Sequence, residues 1–284
     1  MAATERPRDL LAALRLATEA VGRRDATLLL AHVLGTDRRG LLTGDPAPLR
    51  AAAIRRLRRL VRERRRGVPL DYVVRQAAFW DMELAVGLGV LVPRPETEHL
   101  VECVRDEVAG GSGARTVADI GTGSGAVAIA LARALPAVDV VATDRSSRAL
   151  AMAAANAARW APRLRILAPG DLLRPLARAG IVADVVVMNP PYVRTRDLAR
   201  LAREVRREPR AALDGGPDGL SVVRRLVAAV ARGEAVRPGT RIWLEVGAGQ
   251  AAAVAALVGG LGGPTRVVRD LAGIERVVGG SWQP

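Results

Sequence analysis

Cysteine is nearly missing from this 284-residue chain, in which Cys103 is the single example. An internal disulfide framework is excluded, and so is a zinc site built from several cysteines. Histidine is almost as scarce. His32 and His99 have no partner at metal-ligand spacing, so neither is assigned a role. Lysine is absent, and all 43 basic residues are Arg. One Phe, two Tyr and four Trp make few stacking platforms for single-stranded nucleic acid. Half the residues are hydrophobic, yet no uninterrupted apolar run reaches membrane-spanning length. The opening MAATERPRDL is charged and has no apolar signal core, so a cytoplasmic setting is expected.

Positive charge, by contrast, is abundant. The formal net charge is +14, and residues 1–70 hold 16 Arg against 7 acids. Such an excess attracts an acidic protein or RNA. An Arg run along a helix is equally a solvated face, and the run Arg50–Arg66 leaves both readings open. The length suits one or two domains with a sizeable core.

Leu10, Leu11, Leu14 and Ala17 recur at helical spacing. A second helix is expected from Asp25, with that acid as its cap. Gly35 and Gly44-Asp45-Pro46 break the pattern, and a third helix is expected from about Pro48 to Arg66. Together these predict a helical amino-terminal domain over 1–70. Residues 71–92 read as an extended β-hairpin linker. From 93 to 284, strands alternate with helices and end in a hairpin. The pattern predicts an α/β domain with a mostly parallel sheet and one antiparallel edge strand.

Two loops in that domain carry chemistry. The first is Gly121-Thr122-Gly123-Ser124-Gly125, between a strand at 116–120 and a helix at 126–134. Its glycines permit a tight turn and close approach of a ligand to the backbone. With Ala126 it also fits the dinucleotide-binding fingerprint. A second strand ends in Asp144, placed to bind a ribose hydroxyl pair or to cap the next helix. Asp171, beyond the third strand, could accept from an adenine amine or serve as a turn residue.

The second loop is Asn189-Pro190-Pro191-Tyr192. It comes after the β-branched run Val185–Val187, which reads as a fully buried strand. The two prolines end that strand and stiffen the loop. The Asn189 side-chain carbonyl and the Pro190 carbonyl are both acceptors, and Tyr192 offers an aromatic face. Two acceptors beside a ring suit a planar group bearing –NH2. Their hydrogen bonds leave the nitrogen lone pair facing an electrophile. The four residues resemble the [N/D]-PP-[Y/F/W] motif of amino-methyltransferases. If the first and fourth strands lie side by side, both loops face one cleft, and S-adenosylmethionine fits as the cofactor. Neither His, Lys nor Tyr is placed to run hydride chemistry there.

The chain as a whole resembles the HemK/PrmC family, the release factor glutamine N5-methyltransferases. The resemblance rests on Arg24-Asp25-Ala26, Gly67-Val68-Pro69-Leu70, Phe79-Trp80 and Leu91-Val92-Pro93-Arg94-Pro95-Glu96-Thr97-Glu98. It extends through Asp119 to Gly125, Asn189 to Tyr192, Glu208-Pro209 and Gly273-Ile274-Glu275-Arg276. It implies a class I, Rossmann-like methyltransferase domain with a seven-stranded sheet, behind a helical domain that engages the release factor. The acceptor it implies is the glutamine of that factor's Gly-Gly-Gln loop. Carried over by residue, Gly121, Thr122, Gly123, Ser124 and Gly125 would line the methionine portion of S-adenosylmethionine, and Asp144 would bind the ribose. Asp171 and Leu172 would neighbour the adenine. Asn189, Pro190, Pro191 and Tyr192 would hold the glutamine amide, with Asn189 also beside the cofactor. Many relatives carry an aromatic where Leu172 stands.

Three alternatives remain at this level: N-methylation of a ribosomal-protein glutamine, N-methylation of adenine in DNA or RNA, and non-catalytic binding of RNA or ribosomes. A monomer is expected. Contact with RNA or ribosome through the Arg-rich amino terminus is compatible with the charge but not required by it.

Overall fold

The computed structural model describes residues 10–43, 49–111 and 113–284. The break expected at Gly44-Asp45-Pro46, the helix start near Pro48 and most of the MAATERPRDL opening lie outside them. Two compact units divide the chain. Among the described residues, those up to Arg75 form one together with Arg203–Arg207, and those in Gln76–Ala202 with Glu208–Pro284 form the other.

The first unit contains α1 (Leu10–Val21), α2 (Arg23–Leu34), α3 (Arg38–Thr43), α4 (Ala51–Arg65) and α5 (Leu70–Val74). Ala13, Leu29, Leu30, Leu57, Leu60 and Val73 close its core. Asp25 does not cap α2. The helix starts at Arg23 behind Gly22, and Asp25 sits in its first turn. The Asp25 carboxylate instead accepts from Arg64 Nε at 2.5 Å. A second correction concerns residues 71–74, which read as extended but belong to helix α5. Their Tyr and Val content favours strand, but burial of Val73 in the core with Leu57 and Leu60 of α4 overrides that weak preference.

The second unit opens with the antiparallel hairpin β1 (Gln76–Phe79) and β2 (Met82–Ala85). A 3-10 turn at Pro95–Thr97 leads into α6 (Glu98–Ala109). Next come β3 (Thr116–Ile120), α7 (Ala126–Ala134), β4 (Asp139–Thr143), α8 (Ser147–Trp160), β5 (Arg165–Ile166), α9 (Arg174–Arg178) and β6 (Ala183–Met188). The chain closes with α10 (Arg210–Leu213), α11 (Ser221–Ala231), β7 (Val236–Glu245), α12 (Ala251–Gly259), β8 (Gly262–Arg269) and β9 (Glu275–Trp282).

Seven of these strands make one sheet in the order β5-β4-β3-β6-β7-β9-β8. β3 lies beside β6 in parallel, and the connections run outward from these two in opposite directions. A crevice opens at such a switch point, beyond the strands' carboxyl ends. The run in β6 is apolar throughout because both its faces are covered. Val185 and Val187 pack with α6 and α7, whereas Val186 and Met188 pack with α11 and α12.

The antiparallel strand is not at the edge, as expected, but second from it. β9 inserts between β7 and β8 and runs antiparallel to both. Burial explains the order: β9 carries Val277 and Val278, both fully buried, while β8 is mostly exposed. The more apolar strand takes the inner position.

Candidate active site

A cavity of about 550 Å3 lies beyond the carboxyl ends of β3, β4 and β6. That size suits a small-molecule site. The loop after β3 forms one wall, with Gly121, Thr122, Gly123 and Ser124 lining it. Gly125 closes the turn as the left-handed cap of α7, at φ 86°. A Cβ there would also stand 3.3 Å from the Ala153 backbone, a tight contact with helix α8. Asn156 of α8 secures the loop from behind. Its Nδ2 donates to the Ser124 and Ala85 carbonyls, and its Oδ1 accepts from Ala85 N–H. Acceptors and donors alternate so that only one orientation of this amide satisfies them all.

Asp144 projects from the end of β4 and lines the cavity. One oxygen accepts from Gly123 N–H at 3.0 Å and the other from Ser146 N–H at 2.8 Å. The cap of α8 is Ser146, whose hydroxyl oxygen accepts from Ala149 N–H. Asp144 is therefore not the helix cap, and each of its oxygens keeps a lone pair for another donor. Asp171 and Leu172 also line the cavity. The Asp171 carboxylate is ion-paired with Arg225, which stands on the same wall. Leu172 has φ 48°, a left-handed conformation that side chains seldom adopt. Such strain clusters where a ligand site dictates the backbone path.

Asn189 and Pro191 complete the lining after β6, whereas Pro190 and Tyr192 do not reach it. Pro190 is buried. Tyr192 is half-buried, with its ring against Gly247 and its carbonyl accepting from Gln250 Nε2 at 3.0 Å. Burial and the nearby Glu245 push its phenol up to about 12, so it stays protonated at neutral pH. Gly215 packs against the same loop: a Cβ there would lie 2.5 Å from the Pro191 carbonyl oxygen.

Several residues that shape the site have no role legible in the sequence. Thr97 is buried, lines the cavity and accepts from Asn189 Nδ2 at 3.0 Å. Glu245, at the end of β7, is also buried, and its Oε2 has no hydrogen-bond partner. Burial raises its pKa to about 7, against the pull of the Thr97 and Asn189 side chains. Asp119 is raised to about 7 by burial as well, although it accepts from the Thr122 hydroxyl and Ala128 N–H. Glu208 accepts from Val92 N–H and from Arg94, holding together the two segments that bring Pro93 and Pro209 to the cavity rim. Burial pushes the Cys103 thiol up to about 11, which leaves little thiolate for nucleophilic chemistry. Among the described residues no cluster of His, Cys, Asp and Glu could hold a metal ion.

Comparison with known proteins agrees with this architecture. Residues 9–74 match the PrmC N-terminal domain, and residues 95–227 match the Methyltransferase small domain. A release factor glutamine methyltransferase from Gloeobacter violaceus is 43% identical over 255 residues, covering 88% of this chain and 87% of the relative. One from Xylella fastidiosa is 39% identical, covering 95% and 97%. The chain belongs to the release factor glutamine methyltransferase family. A solved methyltransferase from Pyrococcus furiosus shares the fold at 16% identity, with a TM-score of 0.52 over 73% of this chain and 92% of that one.

Within this family's frame, the signal that could have drawn attention to Thr97 is the density of Pro and Glu around it. Those residues read more simply as a helix start. Glu245 carries no signal, because one acid at the end of an apolar strand says nothing of what lies opposite.

Proposed function

We propose that this protein transfers a methyl group from S-adenosylmethionine to the side-chain nitrogen of the glutamine in the Gly-Gly-Gln loop of a peptide chain release factor. The observation that carries the reading is the parallel pairing of β3 with β6, since the glycine loop and Asn189 thereby line one cavity.

The cavity suits the cofactor on three counts. Gly123 has open space where a Cβ would stand, which allows a ligand close to the backbone. Asp144 retains acceptor capacity for a ribose diol. The walls combine apolar side chains with a few polar groups, as cofactor sites do. Gly121 to Gly125 would hold the methionine portion, Asp144 the ribose, and Asp171 with Leu172 the adenine. When bound, S-adenosylmethionine supplies an electrophilic methyl group.

The chain's own residues act on the acceptor. An amide nitrogen is a poor nucleophile because its lone pair is delocalised into the carbonyl. Asn189 Oδ1, on the cavity wall, would accept one of its N–H bonds and the Pro190 carbonyl, in the loop outside the lining, the other, enriching the nitrogen and fixing its approach. Tyr192 would support the loop that presents those acceptors. A strong general base is not required, because the nitrogen's proton can leave for water after the methyl group arrives. The exposed Arg55, Arg56, Arg59, Arg62, Arg65 and Arg66 in and just after α4 offer a surface for an acidic region of the release factor.

The test is methyl transfer from labelled S-adenosylmethionine to a purified release factor, with mass spectrometry of the Gly-Gly-Gln peptide. Label is expected on that glutamine and not on a factor carrying Ala in its place. Label on ribosomal protein or nucleic acid instead would reject the reading.

A further inference from the structure

Asn189 can present either its oxygen or its –NH2 to the cavity, because the two ends of the amide are nearly alike in shape. Acceptance of a substrate amide requires the oxygen. Asn189 Nδ2 donates to Thr97 Oγ1 at 3.0 Å, but that contact alone does not fix the orientation. A hydroxyl both donates and accepts, so Thr97 could equally serve a flipped amide.

What breaks the tie is Glu245. Its carboxyl is 3% exposed, Oε2 has no partner, and the Thr97 and Asn189 side chains face it and favour its charged form. An ionised carboxylate only accepts. While Glu245 is ionised, the arrangement of lowest energy turns the Thr97 proton toward the carboxylate and leaves the hydroxyl lone pairs for Asn189, which answers with N–H as in the observed Asn189 Nδ2–Thr97 Oγ1 contact. The flipped amide would set the Asn189 oxygen against the carboxylate and leave the Thr97 contact without a proton. The Thr97 Oγ1 is within reach of this role because the 3-10 turn Pro95–Thr97 buries it at the cavity wall.

We propose that Glu245 and Thr97 are positioning residues that lock the Asn189 amide with its oxygen toward the cavity, making it a dedicated acceptor for an –NH2 substrate. The proposal rests on the glutamine-methylation reading and goes beyond it by giving Glu245, and the Thr of the Pro-Arg-Pro-Glu-Thr stretch, a stated task.

The arrangement has a pH signature. The groups facing Glu245 are Glu96, which disfavours its charge, Arg276, which favours it, and Tyr192, whose phenol stays protonated. Protonated Glu245 becomes a donor and no longer rejects the flipped amide. Turnover should then show an acid limb near neutrality that Glu245→Gln removes.

The experiment compares Thr97→Val, Thr97→Ser and Glu245→Gln with the wild-type protein, reading kcat for glutamine methylation and cofactor affinity by calorimetry. Thr97→Val and Glu245→Gln are expected to lower kcat by about tenfold or more with cofactor affinity unchanged, as for one misdirected hydrogen bond. Thr97→Ser should restore turnover. Wild-type kcat in Thr97→Val, or a parallel loss of cofactor affinity, overturns the proposal. If Glu245→Gln does not fold, the two Thr97 variants decide. The amide-proton exchange of Asn189, identified by loss of its signal in Asn189→Ala, tests the lock without any substrate. Slow exchange in the wild type that quickens in Thr97→Val supports the lock, and unchanged exchange rejects it. Slow exchange with no glutamine methylation would reject the substrate reading alone.

Discussion

Arg94 and Glu208, 114 residues apart, form an ion pair in which the Glu208 side chain is 1% exposed. The same carboxylate accepts from Val92 N–H at 2.8 Å. It thereby fastens the segment before α6 to the segment that leads into α10. Removal of the buried Glu208 carboxylate takes the acceptor from Val92 N–H and from the partly exposed Arg94. Glu208→Ala is expected to destabilise the protein by about 3 kcal/mol, and Glu208→Gln, which keeps an acceptor, by less. Urea denaturation midpoints check the difference.

Asn189→Ala removes the acceptor without touching the glycine loop. Turnover should fall by roughly 10²–10³, the usual cost of losing one preorganised polar contact at a reacting centre. Cofactor affinity should stay close to wild type. Near-normal turnover would show that Asn189 does not hold the substrate.

Asp144→Ala should act on the other side of the site. Loss of a charged acceptor costs about 1.5–3 kcal/mol, or roughly 10–100-fold in cofactor affinity. Calorimetry with S-adenosylmethionine measures it, and unchanged affinity would reject the ribose contact.

Tyr192→Phe is expected to keep most activity. The ring lies against Gly247, and the phenol, held at about 12, stays protonated near neutrality and supplies no base there. Tyr192→Ala should be far worse, because it removes the ring packed against Gly247. Equal losses in both variants, measured by kcat, would assign a role to the hydroxyl instead.

The stability that Asp119 and Glu245 contribute should decline as pH rises from about 4 to about 7. Asp119 and Glu245 are both raised to about 7, well above ordinary carboxyl values, so in this window the folded chain holds protons that the unfolded chain has released. The stability they contribute is complete below the unfolded values and is lost as pH climbs through the folded ones. Asp119→Asn keeps an oxygen for Thr122 and Ala128 and should flatten the decline. At pH 8 a rise in Tm of roughly 2–4 °C is expected, corresponding to about 1 kcal/mol. An unaltered pH dependence in differential scanning calorimetry would count against a buried, proton-hungry Asp119.

The parts legible in the sequence are those whose signals are local. β3, α7 and β4 fall where glycines, β-branched runs and alanine-rich periodicity place them. Asn189 and the glycine loop stand out because their residue types have few other uses in that order. α5 is not legible, because its strand-like residues pack as a helix in a core that their own sequence does not mention. The inner position of β9 escapes for a similar reason. Hairpin signals show that two strands pair, but not which of them meets the sheet.

The sequence by itself determined that this chain has a glycine loop after one buried strand and two stiffened acceptors after another. Steric limits on Gly and Pro, and the chemistry of an amide, act over a few residues and can be read there. Only the tertiary structure decided that β3 and β6 are neighbours, that Glu245 and Thr97 lie against Asn189, and that Glu208 holds the cavity rim. Those relations depend on crossovers and burial between distant segments, and a carboxylate acquires its role only from the groups that folding places around it.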